Sequence, residues 1–202
     1  MPLIKYNNNS LSSITALPAG IATGKLKLIS SQTASNSASI SFTTGLNSTY
    51  KVYKFVFVNI VPSTAGAGLF FNLSTDGGSN YNVTKTSTFF NAYHHENDSA
   101  TGLAYYTGSD LAQSTSDQEI ASSIEGTASS TSGYLQLFNP ASTTYVKHWI
   151  SNNNERYGVP GSGTRFTAGY ANTTNAVNAI IFRMSSGNIS VGTIYLYAID
   201  NS

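Results

Sequence analysis

The chain of 202 residues contains no cysteine, so neither disulfide bonds nor thiolate chemistry is available to it. Charged residues are also scarce: they make up 9% of the chain, whereas an average soluble domain has about 25%. The net charge is +1, and no cluster of lysines and arginines is present to neutralise phosphate groups. We therefore expect no nucleic-acid partner.

Long hydrophobic runs are missing as well. No apolar stretch approaches the roughly 20 residues that a membrane-spanning helix needs. The first residues lack the basic segment followed by an apolar segment that is typical of a signal peptide. We expect a protein that is made in a cytoplasm and has no membrane partner.

The residues that are abundant favour β-structure. Serine, threonine and asparagine supply most of the polarity, and they are poor helix formers. The 13 tyrosines and 10 phenylalanines favour strands. About ten short segments with turn residues between them indicate a sandwich or a barrel. The prediction is an all-β, jelly-roll-like antiparallel β-sandwich formed by residues 25–202, with an extended N-terminal arm of residues 1–24.

Two strands of this sandwich have apolar residues on both faces. They are Tyr50–Val61, which Pro62 ends, and the last strand, Gly192–Asp200. Such a pattern predicts burial on both sides of the sheet or against a neighbouring subunit. By contrast, the stretches 109–133 and 152–164 have sparse or irregular apolar residues, and we predict a long connection and a loop there.

The N-terminal arm has its regular apolar residues three positions apart, at Leu11, Ile14 and Leu17. This spacing suits a short helical turn or an extended segment that places side chains in a groove of a neighbouring protein. The alternative is an unstructured terminus. We predict that the three residues anchor the chain in an assembly.

A glycine-rich stretch, Leu69–Thr84, raises the choice between a binding loop and a turn. Asp76 can accept hydrogen bonds from the backbone that follows, and Gly77 and Gly78 can adopt positive φ. A calcium site needs several oxygen ligands, and Asp76 is the one carboxylate here. The stretch resembles the Asp-box of sialidases and β-propellers, which is itself a structural turn. We predict a structural turn in a short hairpin connection.

One cluster of ionisable residues, His94, His95 and Glu96 followed by Asp98, could hold a metal ion only with ligands from elsewhere. A solvated polar loop is the simpler interpretation. The carboxylates of the chain, among them Asp117, Glu119 and Glu155, lie in loop-like sequence without a glycosidase signature. No nucleophile elbow or phosphate-binding loop is present. We predict no enzyme and no cofactor, and keep a carbohydrate-active enzyme as the alternative from another class.

Several aromatic residues lie in or beside the predicted loops. They could form a sugar-binding platform, belong to the core, or lie at an interface, and the interface is favoured because tyrosine and tryptophan combine apolar area with a polar tip. The candidates for surface binding are Tyr105, Tyr106, Trp149, Tyr157 and Tyr170.

Two stretches of the C-terminal half, Leu137–Ser151 and Gly169–Asp200, contain distinctive motifs. The first has an NP-STT-K pattern, and the second ends in SGN, GTI and LYA. Both resemble a family of tailed-phage virion proteins that is common in marine and cyanobacterial phages. Ala198 stands where that family usually has glycine. The matching residues are Asn139, Pro140, Ser142, Thr143, Thr144, Lys147, Gly187, Asn188, Gly192, Thr193, Leu196 and Tyr197.

The resemblance covers about residues 24–200 and implies a structural protein of the virion, made in the host cytoplasm. Its expected partners are phage capsid or tail proteins, and a homotrimer is expected because oligomers in virions are symmetric. The first hypothesis is a capsid decoration, or cement, protein. The second is a tail-fibre or baseplate-attached adhesin that binds host surface glycan. The family supplies no catalytic residues.

Overall fold

The computed structural model describes residues 26–125, 129–158 and 160–199, and these ranges contain strands and connections but no helix. All strand pairs are antiparallel. The all-β prediction is therefore confirmed. The twelve strands are β1 (Leu26–Thr33), β2 (Ile40–Phe42), β3 (Val52–Pro62), β4 (Ala67–Ser74), β5 (Lys85–His95), β6 (Thr101–Tyr105), β7 (Gln118–Ile124), β8 (Thr131–Phe138), β9 (Lys147–Tyr157), β10 (Gly161–Ala171), β11 (Ala179–Met184) and β12 (Ile189–Ile199).

The strands form two sheets. The larger sheet has the order β1-β12-β3-β8-β9-β10-β5-β6, and the smaller has the order β7-β4-β11-β2. One residue pair, Ile124 with Tyr157, joins the two sheets through β7 and β9. Two antiparallel sheets that share a core make a β-sandwich, which confirms that part of the prediction.

The strand pairs are nested. β1 pairs with β12, β2 with β11, β3 with β8, and β4 with β7. The other four strands are two insertions, β5–β6 and β9–β10, and both lengthen the larger sheet. As a result the larger sheet has twice as many strands as the smaller one.

Aromatic side chains fill the space between the sheets. The ring of Phe182 on β11 lies 5.3 Å from Phe55 and 5.2 Å from Phe57, both on β3. Phe71 on β4 meets Trp149 on β9 at 5.5 Å. These edge-to-face and tilted contacts join the two sheets and add to the area that each ring buries.

Within the described chain, β3 and β12 are not buried on both faces, so the prediction of burial on both sides of the sheet is wrong there, while burial against a neighbouring subunit stays a prediction. Each strand buries one face against the smaller sheet and leaves the other half-exposed or exposed, because no third layer covers the larger sheet. The buried side chains include Tyr53, Phe55 and Phe57 on β3 and Ile194, Leu196 and Ala198 on β12.

Two stretches that the sequence predicts as connections contain strands. β7 and the start of β8 lie in 109–133, and the end of β9 and the start of β10 lie in 152–164. Glu119 and Glu155 are therefore strand residues rather than loop residues. The hydrophobic pattern fails here because inward-facing residues such as Asn153 and Glu155 are polar.

The predicted hairpin around Asp76 is also wrong. β4 belongs to the smaller sheet and β5 to the larger one, and the two strands do not pair. The connection 75–84 therefore crosses from one sheet to the other. Alternation along a strand predicts which side chains are buried, but it does not identify the sheet that the strand joins. Leu11, Ile14 and Leu17 lie outside the described residues, so the anchoring arm stays a prediction.

Candidate functional site

The Asp76 loop is closed by its own polar groups. Ser74 Oγ donates to Asp76 Oδ1 at 2.6 Å, and Asn80 donates to the same carboxylate from its backbone N at 2.9 Å and from Nδ2 at 2.8 Å. Gly77 and Gly78 have φ of +73° and +93°. Hydrogen bonds from Ser74 and Asn80 lower the pKa of Asp76 to about 2. Both oxygens of the carboxylate thus have partners within the loop.

Replacing Gly78 with alanine should destabilise the fold by roughly 2–3 kcal/mol, because the residue has positive φ and the new Cβ clashes. That Cβ would lie 2.7 Å from the Tyr81 hydroxyl and 2.8 Å from Thr43 Cγ2. Gly77→Ala is the matched control: its φ is also positive, but its Cβ meets nothing within 4 Å. Urea unfolding should show a loss of roughly 1 kcal/mol for the control. Equal losses in both variants would contradict the predicted clash.

The histidine cluster lies at the end of β5 and in the turn that follows. His94 Nε2 is 2.9 Å from Asp98 Oδ1, and His95 Nδ1 is 3.1 Å from Ser99 Oγ. Glu96 accepts a hydrogen bond from Arg156 at 3.3 Å. Across the described ranges, no three His, Asp or Glu side chains lie close enough to hold a metal ion.

The aromatic candidates point in different directions. Trp149 is 1% exposed and packs in the core, so its prediction as a surface residue is wrong. Tyr105 is exposed on β6, where its hydroxyl donates to Asp110 at 2.5 Å. The ring of Tyr106 packs on Phe89 at 6.4 Å. Tyr170 is half-buried on β10. Tyr157 ends β9, and its side chain lies outside the described part.

The outer face of the larger sheet points away from the smaller sheet, spans eight strands and is not covered by any other described element. One row of paired residues crosses all eight strands without a charged side chain. From β1 to β6 its members are Ser31, Tyr195, Val56, Tyr134, Asn152, Phe166, Phe90 and Tyr105. The adjacent row has one charge: Leu28, Tyr197, Lys54, Gln136, Ile150, Ala168 and Thr88.

Most of the exposed large hydrophobic side chains lie on this outer face. Leu103 is 73% exposed and Ile150 is 48% exposed. The rings of Phe90 and Phe166 are stacked at 5.0 Å and border a groove of about 220 Å³. Lys54, the charge of the second row, lies 4.2 Å over the ring of Tyr134. An almost uncharged face with several exposed apolar side chains is typical of an interaction surface.

A second site lies on the opposite side of the sandwich, on the outer face of the smaller sheet. It is a polar cavity of about 650 Å³, here called the Asp117–Arg183 pocket. β4, β11, the crossover 75–84 and the segment before β7 contribute its walls. The lining residues are Phe70, Asn72, Tyr81, Thr115, Ser116, Asp117, Arg183, Met184 and Ser185.

Asp117 is the centre of the polar network in this pocket. Arg183 donates to it from Nη2 at 2.7 Å and also from Nε, while Asn72 Nδ2 donates at 2.9 Å. Behind them, the buried Lys85 Nζ donates to Asn72 Oδ1 at 2.6 Å. The chain therefore holds the guanidinium plane of Arg183 in place through a carboxylate and an amide.

The electrostatics of the pocket follow from burial and pairing. Burial lowers the pKa of Lys85 to about 8, against the opposing effect of Asp117. Burial alone would raise the pKa of Asp117, but hydrogen bonds from Arg183 and Asn72 outweigh it and the pKa is lowered. The Asp117 hydrogen bond raises the pKa of Arg183. All three groups are thus charged at neutral pH.

Sequence reasoning missed this pocket because its residues are far apart in the chain. Asp117 and Arg183 are separated by 66 positions. The available signal was a charged residue within an apolar strand, Arg183 in AIIFRM, which implies a partner near the sheet.

A buried ion pair lies inside the larger sheet, on its core side. Glu155 on β9 accepts a hydrogen bond from Arg165 Nε on β10, and both side chains are almost fully buried. Burial raises the pKa of Glu155 to about 7 although Arg165 opposes this, and Glu119 on β7 adds to the rise. Because both side chains are almost fully buried, the main consequence of the pair is for stability.

No protein-family model, curated protein or solved structure matches the chain. The resemblance to tailed-phage virion proteins therefore stays a prediction. Within the described residues, no helix is long and apolar enough to cross a membrane.

Proposed function

We propose that the chain is a structural protein of a tailed-phage virion, a surface module that decorates and stabilises the capsid. The observation that supports this best is the outer face of the larger sheet. A row of uncharged residues extends across eight strands there, and the described chain has no layer above it. Such a face suits contact with a neighbouring virion protein or with other copies of this chain in a trimer.

The size of the outer face fits this role. Adjacent strands lie about 4.8 Å apart, so eight strands span roughly 34 Å. Three rows of outward side chains add roughly 20 Å along the strands, which gives a face of roughly 700 Å². A stable protein interface buries about 800 Å² on each partner. The face is thus of the right order for one specific contact.

The connectivity also supports the proposal. The nested pairs of β1 to β4 with β12, β11, β8 and β7 support the predicted jelly-roll-like connectivity. Viral capsid and lectin domains use the jelly-roll architecture. Because one fold serves many functions, this is weaker support than the outer face. We propose no catalytic role and no cofactor.

The predicted arm of residues 1–24 would be a second anchor in this proposal. Deleting it should weaken attachment to the particle while leaving the sandwich folded. Unchanged attachment of the truncated protein would remove the arm from the proposal and leave the outer face as the sole contact.

An adhesin on the tail fibre or baseplate is the second candidate. It is favoured by the hairpin β5–β6, which forms one edge of the larger sheet and exposes Leu103 and Tyr105. Exposed tyrosines can contact both apolar and polar parts of a host glycan.

Immunogold electron microscopy of intact virions, with antibody against this protein, separates the candidates. Gold spread over the head is the expected result and indicates decoration. Gold confined to the tail end would favour the adhesin instead. Virions from which the coding sequence is deleted are the control, and intact virions with no more gold than this control would contradict both candidates.

A further inference from the structure

We propose that the Asp117–Arg183 pocket binds a neutral saccharide unit. This site goes beyond the structural role, since it lies on the outer face of the smaller sheet and not on the surface assigned to assembly. A capsid module attached through its larger sheet would present this pocket on its far side.

The volume of the pocket is that of a small-molecule site. Its 650 Å³ falls within the roughly 300–1,000 Å³ that is usual for ligand pockets. The lining combines the aromatic side chains of Phe70 and Tyr81 with hydroxyl, amide and charged groups. A pyranose has the same combination, because one face of the ring presents C–H groups and its edge presents hydroxyls.

The charge balance favours a neutral ligand. Arg183 and Lys85 contribute positive charge, and Asp117 contributes negative charge. Within the lining, Arg183 and Asp117 neutralise each other as a hydrogen-bonded pair, and Lys85 is fully buried behind Asn72 and is not itself a lining residue. An isolated anion or cation would therefore gain little net attraction in the pocket.

The hydrogen-bonding groups suit sugar hydroxyls, each of which can donate and accept. Arg183 uses its Nε and one Nη on Asp117, and its side chain stays 41% exposed. The guanidinium has five N–H donors in all, so donors remain for a ligand. The hydroxyls of Thr115, Ser116 and Ser185 can both donate to it and accept from it.

The network behind the pocket is already ordered before a ligand arrives. Asn72 is 1% exposed and donates to Asp117 and to the Thr115 carbonyl at 3.0 Å. Lys85 fixes the other end of the same amide. Asn72 and Lys85 are thus positioning residues, and they reduce the ordering that binding would otherwise require.

The test is an NMR titration of the ¹⁵N-labelled full chain with methyl α-mannoside, methyl β-galactoside and N-acetylglucosamine, each to about 50 mM so that millimolar affinity is resolved. We expect at least one of the three to shift the backbone amides of the lining residues. Arg183→Lys keeps the charge but loses the planar donor array, and it should weaken binding by about tenfold or more. Thr115→Val, at an exposed position, is a second variant that should weaken binding without unfolding the chain.

Ile150→Ser, on the outer face of the larger sheet, is the matched control and should bind as the parent does. Absence of lining-residue shifts with all three sugars would overturn the proposal. So would unchanged affinity in folded Arg183→Lys and Thr115→Val, or a stronger response to glucuronate than to the neutral sugars. Because the titration uses isolated protein, its outcome is independent of whether the chain is found on virions.

Discussion

Raising the pH from about 5 to 7.5 should lower the free energy of unfolding by about 2 kcal/mol through Glu155 alone. Burial raises the pKa of this carboxyl from 4.5 to about 7 in the folded chain. Between these values the folded state holds a proton that the unfolded state releases. The stabilisation is therefore complete below pH 4.5 and is lost as the pH rises through 7.

The measurement is urea unfolding at a series of pH values and constant ionic strength. The glutamine of Glu155→Gln cannot ionise. Between pH 5 and 7.5 the free energy of unfolding of this variant should therefore fall by about 2 kcal/mol less than that of the parent. Glu96→Gln removes a carboxylate from an exposed pair with Arg156 and should keep the parent's slope. A Glu155→Gln protein with the parent's slope would contradict the assignment.

The effect of Lys85 on stability has the opposite sign and occurs in a different pH range. Its pKa is lowered from 10.5 to about 8, so the folded chain binds fewer protons than the unfolded chain between those values. Stability from this group therefore increases as the pH rises from 8 to 10.5. Measurements that stop at pH 7.5 keep most of this effect out of the Glu155 test.

Replacing three exposed aliphatic residues of the outer face should reduce binding to the virion by about 100-fold or more. Leu28, Leu103 and Ile150 lie on β1, β6 and β9, so together they sample the width of the larger sheet. Each substitution by serine removes apolar area worth about 1–2 kcal/mol in a buried contact. A 100-fold loss corresponds to about 2.7 kcal/mol, which three such contacts exceed.

Binding of the purified variant to particles that lack the protein gives the affinity. Tyr145→Ser is the matched control, because Tyr145 is 69% exposed but lies in the connection between β8 and β9. The control should bind as the parent does. The triple variant and Tyr145→Ser should have the same free energy of unfolding as the parent, since exposed positions contribute little to stability. Normal binding of the triple variant would remove the outer face from the proposed function.

The sequence predicts the fold class because alternation is clear where one face of a strand is buried. β2 shows this with buried Ile40 and Phe42 around half-buried Ser41, and β12 shows it with Ile194, Leu196 and Ala198. The alternation disappears in β7, β9 and β10, where Gln118, Glu155 and Arg165 point inward. Glu155 and Arg165 pair with each other across β9 and β10, and Gln118 donates to two backbone carbonyls. No local sequence pattern reports such contacts.

The candidate sites were less predictable for a related reason. Composition marks Trp149 and Tyr105 equally as aromatic candidates, but β9 directs Trp149 into the core and β6 leaves Tyr105 exposed. The Asp117–Arg183 pocket depends on contacts between segments that are distant in the chain. Only the sheet register brings those segments together.

Cryo-electron microscopy of the intact virion would locate the sandwich and its contacts. If the proposed function is right, density for the sandwich lies on the capsid, with the outer face of the larger sheet against a neighbouring chain and the Asp117–Arg183 pocket open to solvent. A sandwich whose outer face, including Phe90, Ile150 and Phe166, points into solvent would rule out assembly through that face.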